Sequence, residues 1–407
     1  GEVGEIISSV FQDPRSQFFT MESDTEISFG LENKGLTHEE IKKRTKEAFS
    51  KFGLEYLENR EVFKLSSGER QLIAVMAAWA MNTEIILLDE PTANLDYLAI
   101  EKLKNILLLL KEEGKTLIIS EHRLYYLREL VDEYWLIKNR SLYEKYDGDA
   151  FRAFSGDKLD DLCLRVLELN HLEVPNKCFE FCSDRLEVKE VSFGYKKQHI
   201  LKDLSFTACL GEVTCLIGKN GSGKTTLGKC ICGLLKTQKG RVFLKDKELS
   251  HRQLSQNSLF LMQEAEFQFF TNSVLSELKY GVNRNKYDEI EALLKRFDMW
   301  KYRDRHPFSL SGGQMQKLAL MMAYLSDKSV VILDEPTSGM DKKSLDIVVG
   351  LINDMKKKKI VITISHDLEF ISAVANKCLE LDNGVIQRIC EVKENKDIEN
   401  IKSIFEK

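Results

Sequence analysis

Gly218-Lys219-Asn220-Gly221-Ser222-Gly223-Lys224-Thr225-Thr226 follows the apolar run Val213–Ile217. The stretch fits the pattern G-x-x-x-x-G-K-[ST], and an apolar strand before it with a helix after it separates a phosphate-binding loop from a chance match. Glycines let backbone N–H groups curve around phosphate oxygens, and the start of the helix adds a favourable dipole. We expect Lys224 to reach the β- and γ-phosphates and the Thr225 hydroxyl to hold Mg²⁺. The sequence therefore predicts an α/β domain that binds a nucleotide by its phosphates.

A pair of acidic residues ends a second apolar run. Asp334 and Glu335 follow Val330–Leu333 and precede Pro336-Thr337. A carboxylate at the end of a buried strand is costly unless a metal or its water shell neutralises it, so Asp334 is a candidate Mg²⁺ ligand. Glu335 is placed to polarise an attacking water. The alternative, a solvated turn, fits the apolar residues before the pair poorly.

Much of this pattern occurs twice. Leu65 and Leu310, Asp89 and Asp334, and Ser120 and Ser365 are each 245 residues apart (310−65, 334−89, 365−120). The stretches Gln12–Thr20 and Gln263–Thr271 also correspond. A repeat of this length predicts two duplicated domains.

The first copy begins late. The second copy starts near Arg185, which is 78 residues before Gln263 (263−185), whereas 11 residues precede Gln12. Roughly 67 residues (78−11), including the phosphate-binding loop, are therefore missing from the first copy. We expect a fragment of a longer protein, with a naturally degenerate domain as the alternative. The predicted segments are a first domain at 1–154, a connector at 155–184, a complete second domain at 185–392 and a polar tail at 393–407.

Periodicity predicts the α/β class for both copies. Leu186–Phe193 alternates like a half-buried strand, and Val213–Ile217 and Ser329–Leu333 read as strands buried on both faces of a parallel sheet. Between each glutamine and the following Leu-Ser motif the pattern turns helical, at His38–Lys51 and Asp288–Arg296. This predicts a helical subdomain inserted into each domain.

Composition narrows the class of protein. The 407 residues carry 30% charged and 43% hydrophobic side chains and a net charge of −5, which is typical of a globular protein and gives no chain-wide nucleic-acid footprint. The longest apolar run, Leu72–Met81, is half of the roughly 20 residues that a bilayer span needs. Gly1–Gly4 does not read as a signal peptide.

The nine cysteines have no framework spacing. Four of them lie in apolar segments, which favours buried reduced thiols in a cytosolic protein. These are Cys209, Cys215, Cys230 and Cys232. The pair Cys178 and Cys182 lies too far from a second Cys/His pair to predict a zinc site.

The pentapeptide Leu310-Ser311-Gly312-Gly313-Gln314 resembles the signature of ATP-binding-cassette ATPases. Tyr195, Gln263, Ser338–Asp341 and His366 match that family's aromatic, glutamine, D-loop and histidine elements. The resemblance implies two tandem P-loop NTPase domains, each with a RecA-like, mostly parallel sheet and an inserted helical subdomain. It also implies ATP and Mg²⁺ as cofactors, and ATP hydrolysis. In this family each ATP lies between the phosphate-binding loop of one domain and the signature of the other.

The resemblance assigns candidate residues. The catalytic set is Glu335, His366 and Lys224. Mg²⁺ would contact Thr225, Gln263 and Asp334. ATP would contact the second domain through Tyr195, Gly218, Lys219, Asn220, Gly221, Ser222, Gly223, Lys224, Thr225, Thr226 and Gln263, and the first signature through Ser66, Ser67, Gly68 and Glu69. The second signature, Ser311, Gly312, Gly313 and Gln314, would face the missing loop. The first-copy residues left without a nucleotide are Gln12, Asp89, Glu90 and His122.

The first signature departs from the family pattern at two positions. Ser67 stands where a glycine is usual, and Glu69 stands where a glutamine is usual. The Ser67 side chain could weaken closure on the phosphate, or its hydroxyl could donate a further hydrogen bond. Both effects stay open.

Two stretches resemble energy-coupling-factor importers, which take up vitamins and transition-metal ions. They are Gln12–Phe19 and Ser120-Glu121-His122-Arg123. This resemblance implies that the two halves pair with each other on the cytoplasmic face of the membrane, with a membrane scaffold subunit and a substrate-binding membrane subunit as partners. The pairs Phe18-Phe19 and Phe269-Phe270 then have two readings, packing between subdomains or a groove for a partner helix.

Two other functions compete with import. One is a soluble cassette protein acting on the ribosome or nucleic acid, and the other is a non-hydrolysing interaction module. The acidic connector Ser155–Asp184 is a poor binder of a phosphate backbone, so no nucleic-acid partner is expected.

Overall fold

The computed structural model describes residues 3–138, 140–175, 184–196 and 198–406. The chain divides into two compact units, Gly1–Leu167 (unit 1) and Glu168–Lys407 (unit 2). Leu159 and Leu167 belong to the apolar core of unit 1. This division does not test the domain boundaries predicted from the sequence, which remain a proposal.

Unit 1 alternates helices with short strands. Its elements are α1 (Val3–Ile6), β1 (Ile7–Val10), α2 (Ser23–Asn33), α3 (His38–Phe52), α4 (Ser67–Ala80), β2 (Ile85–Asp89), α5 (Tyr97–Glu112), β3 (Thr116–Ser120), β4 (Glu133–Lys138), β5 (Ser141–Asp147), α6 (Gly148–Arg152) and α7 (Gly156–Asp161). Strands β1, β2 and β3 form a parallel sheet in that order, and β4 and β5 form a separate antiparallel hairpin.

Unit 2 contains more strands. Its elements are β6 (Arg185–Tyr195), β7 (Gln198–Cys209), β8 (Val213–Ile217), α8 (Lys224–Ile231), β9 (Lys239–Leu244), β10 (Lys247–Glu248), α9 (His251–Asn257), β11 (Ser258–Leu261), α10 (Val274–Lys279), α11 (Tyr287–Arg296), α12 (Gly312–Leu325), β12 (Val330–Asp334), α13 (Lys342–Met355), β13 (Ile360–Ile364), α14 (Leu368–Val374), β14 (Lys377–Asp382), β15 (Val385–Glu391) and α15 (Asn395–Phe405).

The main sheet of unit 2 has the strand order β11-β12-β13-β8-β14-β15. All neighbours are parallel except the hairpin β14-β15. Every residue of β8, β12 and β13 is buried, which confirms the prediction of strands covered on both faces. A second, antiparallel sheet has the order β10-β9-β6-β7. The mostly parallel α/β class predicted from the sequence is confirmed.

The inserted helices also follow the prediction. In unit 1, α3 begins at Thr37, whose side chain accepts from the Glu40 N–H while the Glu40 side chain accepts from the Thr37 N–H. This reciprocal capping box fixes the start of the helix, and Gly53 ends it in a left-handed conformation at φ 64°. In unit 2, α11 covers the predicted helical stretch at Asp288–Arg296.

The two units differ at the position of β8. Strand β8 pairs with β13 on one side and β14 on the other, and the described part of unit 1 shows no strand between β3 and β4. Each hairpin has a register irregularity at the same point, immediately before Ile137 and Leu381. Leu381 is 1% exposed and Ile137 is 76% exposed.

The cysteines correct one prediction. Cys215, Cys230 and Cys232 are free and buried as expected. Cys209 is disulfide-bonded, so the prediction of a reduced thiol there is wrong. Cys178 and Cys182 lie outside the described residues. None of the helices in the described ranges has the length and apolar character needed to cross a bilayer.

Candidate functional site

The glycine-rich loop of unit 2 has a backbone that only glycine tolerates at two points. Gly218 has φ 134°, and a Cβ there would collide with the Leu381 carbonyl oxygen. Gly223 has φ 105°, and a Cβ there would lie 2.9 Å from Leu201 Cδ2. The Lys224 ammonium donates to the carbonyl oxygens of Gly218 (2.6 Å) and Lys219 (2.9 Å). The lysine therefore lies along the loop, as a phosphate-binding lysine needs to.

Two of the three candidate metal ligands, Thr225 and Asp334, lie in contact. Thr225, in the first turn of α8, donates its hydroxyl to Asp334 Oδ2 at 2.8 Å. Burial raises the pKa of Asp334, while the Thr225 hydrogen bond and the Lys224 charge act in the opposite direction. The Thr225 hydroxyl and the buried Asp334 carboxylate are both oxygen donors, which fit a hard divalent cation. Gln263 is exposed in the loop after β11.

The candidate base of unit 2 occupies an uncommon backbone conformation. Glu335 has φ 47°, and its N–H donates to the Ile364 carbonyl at 2.9 Å. Its carboxylate lies 3.8 Å from His366 Nε2 and accepts from the Ser365 hydroxyl at 3.4 Å. A left-handed glutamate costs of order 1–3 kcal/mol and persists where the surroundings hold it. The structure thus brings Glu335 and His366 together.

Unit 1 assembles the matching cluster. The Gln12 side-chain amide donates to Glu90 Oε2 at 2.7 Å, and His122 Nε2 lies 3.4 Å from Glu90 Oε1. Glu90 has φ 39°, and its N–H donates to the Ser120 carbonyl at 2.8 Å. Asp89 is exposed at the end of β2, whereas Asp334 is buried. The first-copy residues therefore meet at the same strand ends without a phosphate-binding loop in the described part of unit 1.

The carboxylates that support the two histidine loops were missed in the sequence. Glu121 Oε2 accepts from the Thr92 hydroxyl at 2.6 Å, and Asp367 Oδ2 accepts from the Thr337 hydroxyl at 3.3 Å. The acid precedes the histidine in unit 1 and follows it in unit 2. The two threonines could have pointed to these carboxylates in the sequence, because Thr92 and Thr337 are also 245 residues apart (337−92).

Each signature begins a helix. The Ser66 side chain accepts from the Glu69 N–H at 3.2 Å, and the Ser66 N–H donates to the Glu69 carboxylate at 2.8 Å. In unit 2 the Ser311 N–H donates to the Gln314 side-chain oxygen at 3.0 Å. The Ser67 hydroxyl donates to the Asn94 carbonyl at 2.9 Å, so it is already engaged within unit 1. A hydrogen bond from Ser67 to a phosphate would require that contact to break.

A loop after each glutamine is built in the same way. Glu26 Oε2 accepts from the Phe19 N–H (3.0 Å), the Thr20 N–H (2.9 Å) and the Thr20 hydroxyl (2.9 Å). Glu277 Oε2 accepts from the Phe270 N–H (3.1 Å), the Thr271 N–H (2.8 Å) and the Thr271 hydroxyl (2.7 Å). Sequence reasoning missed both glutamates, although they follow Gln12 and Gln263 at the same distance.

In each phenylalanine pair the first side chain packs inward and the second is exposed. Phe269 is buried and Phe18 packs partly buried against the core, which confirms core packing for one ring of each pair. Phe19 is 75% exposed and Phe270 is 79% exposed. Tyr195, the candidate adenine contact, is half exposed at the end of β6, with its ring edge-on to Phe193 at 4.9 Å.

The amino-acid sequence of this chain is similar to those of known proteins. The family model described as ABC transporter matches residues 2–93 and 201–338. A Treponema denticola protein named "Putative ABC transporter ATP-binding protein" is 36% identical over 98% of this chain and 83% of its own length. A Bacillus subtilis protein named "Putative HMP/thiamine import ATP-binding protein YkoD" is 31% identical over 92% of this chain and 75% of its own length.

A solved structure covers nearly the whole chain. It is a complex of an archaeal ribosomal stalk protein and an archaeal ribosome recycling factor, 22% identical, with a TM-score of 0.65 over 99% of this chain and 77% of that one. At this identity the likeness shows the fold alone. The matching family model and the relatives carry the assignment. The chain therefore belongs to the ABC transporter family, as a two-part ATPase with the P-loop NTPase fold.

Proposed function

We propose that this chain hydrolyses ATP to drive the import of a vitamin or a transition-metal ion through a separate membrane scaffold subunit. A substrate-binding membrane subunit would capture the solute, and the chain would lie on the cytoplasmic face of the membrane. The Bacillus subtilis relative supports this proposal, because its name refers to HMP/thiamine import.

The proposal rests on the exposed second phenylalanine in each of the two loops that follow Gln12 and Gln263. Phe19 and Phe270 are exposed on loops whose backbone is fixed by the buried carboxylates of Glu26 and Glu277. Burying a carboxylate costs free energy of desolvation, and a flexible surface loop would not need such a buried acceptor. Rigid, exposed aromatic rings are suited to receive an apolar partner helix. We infer that each ring contacts a helix of the scaffold.

The proposed chemistry lies in unit 2. ATP supplies the phosphoanhydride bond that is cleaved, and Mg²⁺ would be held by Thr225, Gln263 and Asp334. Lys224 and the loop amides of 218–226 would bind the phosphates, and Tyr195 would stack on the adenine. Glu335 would orient and polarise the attacking water.

Closure would involve the other unit. The signature Ser66–Glu69 would cover the γ-phosphate bound at the Gly218 loop, since the N-terminus of a helix favours an anion. His366 would contact the same phosphate. ATP would then hold the two units together, and ADP would release them.

Co-purification from native membranes tests the proposal. We expect the tagged full chain, extracted in mild detergent, to retain a multi-span membrane protein. The double variant Phe19→Ser/Phe270→Ser should lose that partner while keeping its affinity for ATP. The control is Tyr143→Ser, which removes an exposed aromatic side chain outside both loops and should retain the partner. Recovery of RNA or ribosomes in place of a membrane protein would overturn the proposal.

A further inference from the structure

The candidate histidine of unit 2 lies against helix α15 (Asn395–Phe405). The His366 ring lies 5.7 Å from the Phe405 ring, centroid to centroid, at an interplanar angle of 49°. The side chain of His366 is 6% exposed. Its counterpart in unit 1, His122, is 40% exposed and also lies within 4 Å of its glutamate. Burial of His366 is therefore not needed for the contact with glutamate, and it calls for a separate explanation.

Helix α15 is firmly attached to unit 2. Ile398 and Ile401 are buried, and the helix packs against α14 and β15. Near its start, the Asn395 side chain accepts from the Val174 N–H at 2.9 Å. In its last turn, the Lys402 ammonium donates to the Asn170 side chain at 2.9 Å. Attachment along its whole length holds Phe405, at the end of the helix, in one place.

The imidazole of His366 thus has neighbours on two sides. The Glu335 carboxylate lies 3.8 Å from Nε2, and the Phe405 ring lies against the histidine ring. A packed aromatic side chain restricts the rotamers open to its neighbour. A histidine that must meet a γ-phosphate benefits from such restriction, because orientation is a large part of phosphoryl-transfer catalysis.

We propose that Phe405 is a positioning residue for His366: helix α15 holds the phenyl ring against the imidazole and keeps it directed at Glu335 and the nucleotide. The contribution to catalysis rests on the proposed role of His366, while the ring contact itself does not. Unit 1 reaches its Glu90–His122 contact with a histidine that stays open to solvent.

Chemical modification of histidine tests the contact without using activity. The full chain is treated with diethyl pyrocarbonate, and modification of each histidine is followed by peptide mass spectrometry. In the wild type, His366 should react more slowly than His122. Phe405→Ala should accelerate His366 about fivefold, in line with the 6% and 40% exposures of the two side chains. His122 should be unchanged, and Phe405→Leu should restore most of the protection.

Hydrogen exchange of α15 separates positioning from anchoring. If the α15 amides of Phe405→Ala stay protected while His366 becomes reactive, the ring acts on the histidine. If protection of α15 is lost at the same time, Phe405 anchors the helix and the proposal fails. An unchanged rate at His366 in Phe405→Ala would also overturn it.

A double-mutant cycle tests the catalytic part. Phe405→Ala should lower kcat for ATP hydrolysis about fivefold with little change in KM, and it should have no further effect in a His366→Ala background. An equal loss in both backgrounds would show that Phe405 acts through general structure. If His366→Ala alone leaves kcat unchanged, the proposed role of His366 is wrong, and the modification experiment still decides the contact.

Discussion

At the scale of the residue, Glu90 and Glu335 show what fixes the position of the candidate glutamate in each unit. Both have a positive φ, both donate their N–H to a carbonyl of the neighbouring strand region, and both lie close to a histidine. Unit 1 forms this cluster with no phosphate-binding loop among its described residues. The strand ends and the backbone hydrogen bond therefore place the glutamate in both units.

Asp334 gives a prediction on stability and metal binding. Burial raises the pKa of this carboxyl, so the folded state favours the protonated form more than the unfolded state does. The stabilisation present at low pH is lost as the pH rises through the folded pKa, and the charged carboxylate opposes folding at pH 7. Asp334→Asn should therefore retain or raise the Tm of the nucleotide-free protein at pH 7, because an amide can still accept from Thr225.

The same variant should lose the increase in Tm that Mg²⁺ and ATP produce together. The stabilising effect of the substitution should shrink as the pH is lowered, because wild-type Asp334 then becomes neutral as well. Lys224→Ala serves as the comparison, since it should abolish nucleotide binding with or without Mg²⁺. A fall of several degrees in the Tm of nucleotide-free Asp334→Asn would contradict the argument.

At the scale of the element, the two signature helices differ in how closely a neighbour approaches. A Cβ at Gly68 would lie 2.8 Å from Ala99 Cβ on α5, whereas Gly313, its counterpart at the start of α12, has open space around it. Gly68→Ala should therefore push α4 and α5 apart and destabilise unit 1 by about 1–3 kcal/mol. Hydrogen exchange of the α4 and α5 amides would report the loss.

Gly313→Ala is the matched control, because it adds the same methyl group to the equivalent turn. The amides of α12 should keep their protection in this variant. Comparable loss of protection in both variants would mean that alanine is unfavourable in the turn itself, and that the contact with Ala99 is not the cause.

Elements with a local signal were predictable from the sequence. Helix α3 was placed closely because its apolar spacing and its capping residues lie within the segment. The phosphate-binding loop was predictable for the same reason. Glu26 and Glu277 were missed because a buried glutamate looks like any surface glutamate until the backbone N–H groups it accepts from are known. The contact between the His366 and Phe405 rings was missed because the two residues lie far apart in the sequence.

At the scale of the whole molecule, the duplication makes a prediction about which signature matters. If the Ser66 signature closes on the Gly218 loop, Ser66→Ala should lower ATP hydrolysis about tenfold. Ser311→Ala makes the same substitution at the equivalent helix start of unit 2, so it serves as the matched control. Its hydrolysis rate should stay close to that of the wild type.

Equal losses in the two variants would show that the nucleotide is shared between separate chains. No loss in either would remove the signature from the proposed mechanism. Measurements over a range of protein concentrations would distinguish these arrangements, because a site formed within one chain should not depend on dilution.

The position of Phe405 has a practical consequence. A purification tag or fluorescent protein attached directly after Lys407 would be separated by two residues from Phe405, whose ring packs against His366. Such a fusion would disturb the last turn of α15, which carries Phe405. It could therefore slow ATP turnover for reasons unrelated to substrate or partner. Rates from a protein that carries such a fusion should therefore be compared with those from the protein after the fusion is cleaved off.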